Sequence, residues 1–169
     1  MPFTLVTDAM VGFNPDEEYV RVSVGNETWV VGKIRLEEFM KEAKVEDYKI
    51  LKTVNGSEFE GKKYTHPLLS NISKLEQMAK MEYYHIAVAE KFVDVNAGTG
   101  IVHLSPANGK DDYNIAMKRK VEIFSPIDDA VKFTEDAGKY AGMFVRDADE
   151  EIVRDVKEKN ALVKIGKIK

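Results

Sequence analysis

The sixteen residues 98–113, GTGIVHLSPANGKDDY, constrain the fold more than any other stretch of the chain. Gly98 and Gly100 allow the backbone to turn sharply or to approach a neighbour closely. Ile101 and Val102 read as a short buried strand, with His103 at its end. Pro106, Asn108 and Gly109 read as a loop. Asp111 and Asp112 then open a helix that continues through Tyr113, Ile115, Ala116 and Met117. A strand that ends in a polar loop and feeds a helix is a common place for a binding site.

The rest of the chain is built from similarly short pieces. Residues 19–24, YVRVSV, alternate as a half-buried strand does, and Gly25 and Asn26 turn it into a return strand over 28–31. Leu36, Phe39, Met40 and Ala43 have the spacing of a short amphipathic helix. Residues 48–54 read as a strand closed by Asn55 and Gly56, and GKKYTHPLL as a strand end entering a proline-restricted segment. Strands are also expected over 85–95, 121–124, 131–133 and 162–168, and helices over 111–120 and 147–159. In the last helix Asp147 and Glu150 form an expected capping pair, with Ile152, Val153 and Val156 facing inward. Short strands outnumbering helices predict an α+β protein, a β-barrel-like core decorated with helices.

With 169 residues, 44% of them hydrophobic, the chain has enough material for one domain with a real core. No apolar run approaches membrane-spanning length, so no membrane partner is expected, and the start lacks the pattern of a signal peptide. The absence of cysteine rules out disulfides and thiolate metal sites and fits a cytoplasmic location. A net charge of −4 argues against a stand-alone nucleic-acid binder, because phosphate neutralisation drives non-specific affinity. The cluster Lys118, Arg119 and Lys120 reads as solvated surface.

The polar residues after the first glycine turn divide by role. Asn108 stands three residues before Asp111, a spacing that suits a helix cap with Asp111 as its reciprocal partner. Asp112 borders the stripe of Tyr113, Ala116 and Met117, and no Lys or Arg follows one turn later. A carboxylate leaning on an apolar face needs a positive or donating partner. Either a distant residue of the chain supplies it, or a ligand cation such as an ammonium does. His103 reads as a structural histidine or a polar wall of the same pocket, and His66 and His85 as structural. No HExxH, EF-hand, GxSxG or phosphate-loop pattern occurs, and Ser105 is followed by proline.

These motifs resemble the editing domain inserted in class I isoleucyl-tRNA synthetases. PFTLVTDAMVGFNPDEEYV is similar to the family's threonine-rich strand and the segment after it, and GKKYTHPL to its G-x-x-Y-x-H-P element. GTGIVHLSPANGKDDY is similar to G-T-G-x-V-H-x-x-P-x-x-G-x-x-D-Y, and SPIDDAVKFT and YAGMFVRDADEEIV to later segments. The likeness runs in order through essentially the whole chain. Related valyl and leucyl domains typically carry lysine or methionine where His103 stands, which favours the isoleucyl assignment.

The resemblance implies a single editing domain over 1–169, excised from a larger synthetase whose HIGH-like and KMSKS-like activation motifs are missing here. It implies hydrolysis of the ester of valyl-tRNA(Ile), and of valyl-adenylate, by an activated water with neither metal nor cofactor. Valine and isoleucine differ by one methylene, which a hydrophobic pocket separates by only roughly 1–3 kcal/mol, a limit for which isoleucyl enzymes are the standard illustration. The implied partners are the 3′ end of aminoacylated tRNA(Ile), the valine moiety and the rest of the parent enzyme. Thr4, His103 and Asp112 would be catalytic, with Asp112 on the α-ammonium and His103 near the ester and terminal ribose. Phe3, Thr7, Asp8, Gly100, Asn108 and Asp112 would bind substrate, Thr4 and Asp8 from a strand facing it. The family's consecutive threonines before Pro2 are absent, Phe3 stands where tryptophan is common, and Asp8 replaces a usual asparagine. A non-catalytic module holding aminoacyl-adenosine is therefore the alternative, with an editing domain of the valyl or leucyl type, or a free-standing factor, behind it.

Overall fold

The computed structural model describes residues 1–166. They form two three-stranded sheets and four α-helices, an α+β architecture with no closed barrel among the described residues. The strands are β1 (Met10–Phe13), β2 (Glu18–Val24), β3 (Glu27–Gly32), β4 (Lys49–Asn55), β5 (Ile86–Ala89) and β6 (Val102–Leu104). The helices are α1 (Leu36–Glu42), α2 (Ser73–Met78), α3 (Lys110–Arg119) and α4 (Ala148–Glu158). One sheet has the order β5-β1-β6 and the other β3-β2-β4. The chain divides into two compact units, one of Met1–Met10, Lys63–Ile86 and Leu104–Ile165, the other centred on Val11–Lys62 and Ala87–His103.

In the second unit β2 is the central strand, antiparallel to both neighbours. The β2–β3 register pairs Val24 with Glu27 across a turn in which Gly25 holds φ +58°. Val20 and Val22 point to one side and pack with Val31, Leu36, Phe39 and Met40. Tyr19 points to the other and packs with Phe13, Val54, Phe59, Ala87 and Val95. The strand is thus buried on both faces, whereas the alternation suggests half-burial. Phe13 and Phe59 stack with centroids 4.1 Å apart. The turn after β4 requires glycine: a Cβ on Gly56 would lie 1.9 Å from the Asn14 carbonyl oxygen. The expected Asn55–Gly56 turn is a 3-10 helix, Gly56–Phe59, capped reciprocally by Asn55 and Glu58.

The first unit is mostly helical. Its buried side chains include Val6, Leu68, Ile72, Leu75, Phe133, Tyr140 and Ile152. Helix α4 packs on a 3-10 helix, Pro2–Thr7, and α2 packs on another, Glu135–Tyr140. The expected strand at the N-terminus is therefore a helix. Pro2 starts it with a fixed φ, and Thr4 and Thr7 turn their hydroxyls onto the carbonyls of Met1 and Thr4 instead of a sheet neighbour.

Three other expectations differ. Of residues 85–95 only Ile86–Ala89 is a strand. Residues 121–124 and 131–133 form no strand and leave two isolated bridges, Ile127 with Phe133 and Lys132 with Phe144. Residues 162–166 are irregular and mostly exposed, so their alternation has no core to face, and 167–168 lie outside the described residues. The sequence also gives no sign of α2, whose six residues are too few for a periodic pattern. No helix among the described residues is long and apolar enough to cross a membrane.

Candidate functional site

The loop after β6 folds by its own backbone bonds. The N–H groups of Asn108 and Gly109 both donate to the Ser105 carbonyl, at 2.9 and 3.0 Å. Gly109, at φ −121°, is the N-cap of α3, and Tyr113 N–H donates to its carbonyl at 2.9 Å. Asp112 lies in the first turn of α3 and folds back, so that its Oδ2 accepts the Ser105 N–H at 2.8 Å. The space it folds into is the space a side chain at 109 would fill: a Cβ there would stand 2.8 Å from the Asp112 carboxylate carbon.

Asn108 does not cap the helix, contrary to the spacing argument. Its side-chain amide is drawn instead to two hydroxyls, Thr7 Oγ1 at 2.6 Å and Ser105 Oγ at 2.7 Å. Ser105 Oγ and Thr7 Oγ1 are themselves 2.6 Å apart, and Thr7 Oγ1 donates to the Thr4 carbonyl at 3.0 Å. Proton counting fixes the direction of this chain. The two amide hydrogens of Asn108 serve one hydroxyl each. The single hydroxyl hydrogen of Thr7 goes to Thr4, so Ser105 donates to Thr7. Thr7 and Ser105 are almost wholly buried, at 1% and 3% exposure, where such groups need partners.

Asp112 is less committed. It is half-buried, and its Oδ1 has no partner among the described residues. Neighbouring Asp111 is exposed. The apolar face of α3 is Ile115 and Ala116, while Tyr113 and Met117 are 46% and 58% exposed. The expected stripe of Tyr113, Ala116 and Met117 is corrected accordingly. Asp112 borders the loop and solvent, not an apolar wall.

A second polar cluster gathers on Asp8, just past the Pro2–Thr7 helix. Asp8 is 2% exposed, and Tyr64 O–H donates to its Oδ2. His66 accepts the Leu68 N–H on Nδ1 at 3.1 Å, which leaves Nε2 facing Asp8 Oδ2 at 3.8 Å. His85 Nε2 lies 3.2 Å from the Asp8 carbonyl and donates to it. The two imidazoles stack with centroids 5.0 Å apart. Burial, and then the neighbouring His66, push the His85 pKa down to about 4, so that ring is neutral near pH 7. Burial, and then the Asp8 charge, raise Tyr64, which stays a phenol and keeps donating.

The structure thus joins Thr7, Asn108 and Asp112 through Ser105 and turns the Asp8 carboxylate into its own buried cluster. Thr4 is buried and its hydroxyl donates to the Met1 carbonyl at 2.8 Å. Phe3 is buried, with the Arg146 guanidinium 5.6 Å from its ring, and its N–H donates to Asp149 at 2.7 Å. Gly100 and His103 belong to the second unit. The Gly100 carbonyl accepts Tyr19 O–H at 2.7 Å, and its φ of +72° explains the glycine. His103 sits half-buried on β6. Ser105, Tyr64, His66 and His85 escaped the sequence reading as site-forming residues. The signal available for Ser105 was a hydroxyl in an apolar strand end next to proline. Among the described residues no group of three His, Cys, Asp or Glu could hold a metal ion.

Comparison with known proteins gives a consistent picture. No family model matches the chain. The isoleucine–tRNA ligase of Methanocaldococcus jannaschii is 40% identical over 176 residues, which span 99% of this chain and 17% of that protein. That of Sulfolobus acidocaldarius is 39% identical over 168 residues, 99% of this chain and 16% of the relative. The chain therefore spans about a sixth of the length of the curated relatives it matches. Among solved structures, GlLeuRS-CP1 superposes with a TM-score of 0.69 at 16% identity, covering 99% of this chain and 82% of that one. The P.knowlesi cytosolic leucyl-tRNA synthetase editing domain gives 0.64 at 15% identity, covering 95% and 79%. At such identities the likeness concerns the fold.

Proposed function

We propose, from the premise that this chain is homologous to one segment of isoleucine–tRNA ligases and has the fold of a synthetase editing domain, that it hydrolyses valine from mischarged tRNA(Ile). The chain is then a single editing domain of a larger cytoplasmic enzyme, and its partners are that enzyme and the 3′ end of the tRNA. The observation that carries the reading is Asp112. One carboxylate oxygen is fixed by the Ser105 N–H, and the other is left for a cation at a half-buried position. The α-ammonium of a valyl ester is such a cation, and a charge-assisted bond there is stronger than a neutral one.

In the reaction a water adds to the ester carbonyl, the bond to the ribose oxygen breaks, and valine and a free ribose hydroxyl leave. No metal or cofactor takes part in this scheme. Asp112 orients the aminoacyl group, and Thr4 acts beside the reacting ester, as the resemblance implies. The test is binding of an amide-linked valyl-adenosine to the parent and to Asp112→Ala. The parent should bind and the variant should lose about ten-fold or more in affinity, the scale of one charged hydrogen bond. Equal affinity would remove Asp112 from the site.

One observation favours a second reading, a module that holds aminoacyl-adenosine without hydrolysing it. The hydroxyl protons of Thr4, Thr7 and Ser105 are all directed to other protein atoms, so these residues do not hold a water by donation. Release of valine from valyl-tRNA(Ile) separates the two readings: turnover supports hydrolysis, and tight binding without turnover supports the module.

A further inference from the structure

The Ser105 side chain has no role in the chemistry above, yet it joins more of the site than any other group. Its Oγ meets both Thr7 and Asn108, its carbonyl takes the N–H of Asn108 and Gly109, and its own N–H holds Asp112. We propose that Ser105 and Thr7 are positioning residues that aim Asp112 at the ammonium of the substrate, and so make the site selective for aminoacyl over simple acyl esters. This rests on the reading of Asp112 just given and adds to it the device that fixes which carboxylate oxygen faces outward.

The argument is one of constraint. Asp112 is on a helix, but its contact is with a loop residue seven positions earlier. A loop N–H keeps its direction only if its peptide is held. The Leu104–Ser105 peptide that carries this N–H is held on its carbonyl side by Ala9, whose N–H donates to the Leu104 carbonyl at 3.0 Å, and on the other side through the Ser105 hydroxyl, which donates to Thr7 while accepting from Asn108. Thr7 is in turn held by the Thr4 carbonyl, inside a 3-10 helix that α4 packs against. The rigidity of the helical layer thus reaches the Asp112 carboxylate through two hydroxyls. Buried hydroxyls with every proton assigned give one arrangement and not several. Thr7, expected to touch substrate, acts in this scheme through Ser105, because its oxygen accepts two bonds and its proton is spent.

The experiment compares two ligands on the whole chain: amide-linked valyl-adenosine, and the same molecule with the α-ammonium replaced by hydrogen. The parent should prefer the ammonium ligand. Ser105→Ala and Thr7→Val should each lower that preference about five- to ten-fold, the scale of one weakened charged hydrogen bond. Thr7→Ser, which keeps the hydroxyl, should retain it. A role confined to folding would weaken both ligands alike and leave the ratio unchanged. An unchanged ratio in Ser105→Ala, or in Thr7→Val should the first variant not fold, overturns the positioning role alone. A parent that does not distinguish the two ligands overturns the reading of Asp112 and this inference with it.

Discussion

Asp112 and Asp155 are both helical aspartates of the same unit, and they are used in opposite ways. Asp155 is 3% exposed and bonded on both oxygens. Lys139 Nζ donates to its Oδ1 at 2.6 Å, and Tyr140 O–H and Asn71 Nδ2 donate to its Oδ2 at 2.7 and 2.9 Å. Burial alone would raise its pKa, but the hydrogen bonds from Lys139 and Tyr140 hold it below the usual carboxylate range. Asp112 has one bond and one free oxygen, at a half-buried position. A carboxylate with three donors spread over both oxygens ties helices together. One with a lone pair left over is available to a ligand. Bonding of both oxygens, and not burial alone, is what separates Asp155 from Asp112.

Several measurements can break this contrast. The largest effect of a substitution is expected at Asp155. Asp155→Ala leaves the buried Tyr140 hydroxyl without an acceptor, while Lys139, 42% exposed, keeps Glu151 at 3.3 Å, and should lower unfolding free energy by about 2 kcal/mol in a denaturant titration. A loss below about 1 kcal/mol would mean that these bonds are not what Asp155 contributes.

Acid should act next, in two windows. The folded pKa of His85 is about 4, well below its ordinary value, so the unfolded state binds the extra proton first. Its contribution is complete above about pH 6.5 and is lost as pH falls towards 4, by about 1–3 kcal/mol. The Asp155 contribution is present above its unfolded value of about 3.9 and disappears as pH falls below it, through the lower folded value. His85→Phe should flatten the upper window and leave the lower one. Unfolding curves at several pH values read both.

Gly109→Ala should cost less than about 1 kcal/mol, because its φ of −121° suits alanine and the atoms in the way are the side-chain carboxylate of Asp112, which can rotate out at the loss of its Ser105 bond. The same change should push the carboxylate off Ser105 and remove the preference for the ammonium ligand. The smallest effect belongs to Asp111, exposed beside Asp112. Asp111→Asn should shift stability by less than about 0.5 kcal/mol and leave ligand binding as it was. A binding defect there would transfer the ligand role to the wrong aspartate.

Where a residue's local pattern matched its neighbours in space, the sequence was a good guide. Residues 19–31 show the β2–β3 hairpin because both its turn and its pairing are local, and α4 begins and ends within one residue of its expected bounds. Residues 131–133 failed because β-branched and aromatic residues only suggest a strand, and here they meet single bridges, with Val131 at φ +59°. The Asp147–Glu150 cap failed because Asp147 is already helical and makes no side-chain cap bond, while Asp149 is used by the Phe3 N–H. Val153 is half-buried, so the inward face of α4 is mainly Ile152 and Val156. Around Asp112 the sequence showed the lack of a local cation, and the partner in the fold is the Ser105 N–H. Ser105 was not legible, because its partners Thr7 and Asp112 lie 98 positions before it and seven after it. The Tyr64, His66 and His85 shell around Asp8 is long-range in the same way, with 56 to 77 positions between partners.

The bonds around Asn108 also bear on how the molecule ages. Asn followed by Gly is the dipeptide in which the next backbone nitrogen most readily attacks the side-chain amide and expels ammonia. In the fold that nitrogen donates to the Ser105 carbonyl, and the amide it would attack is held by Thr7 and Ser105. These bonds predict slower deamidation in the closed loop than in the opened one. The product carboxylate would have no hydrogens to give to the two hydroxyls, so chemical damage at one side chain would unmake the proton order of the whole loop. The folded state preserves the asparagine on which its own arrangement depends.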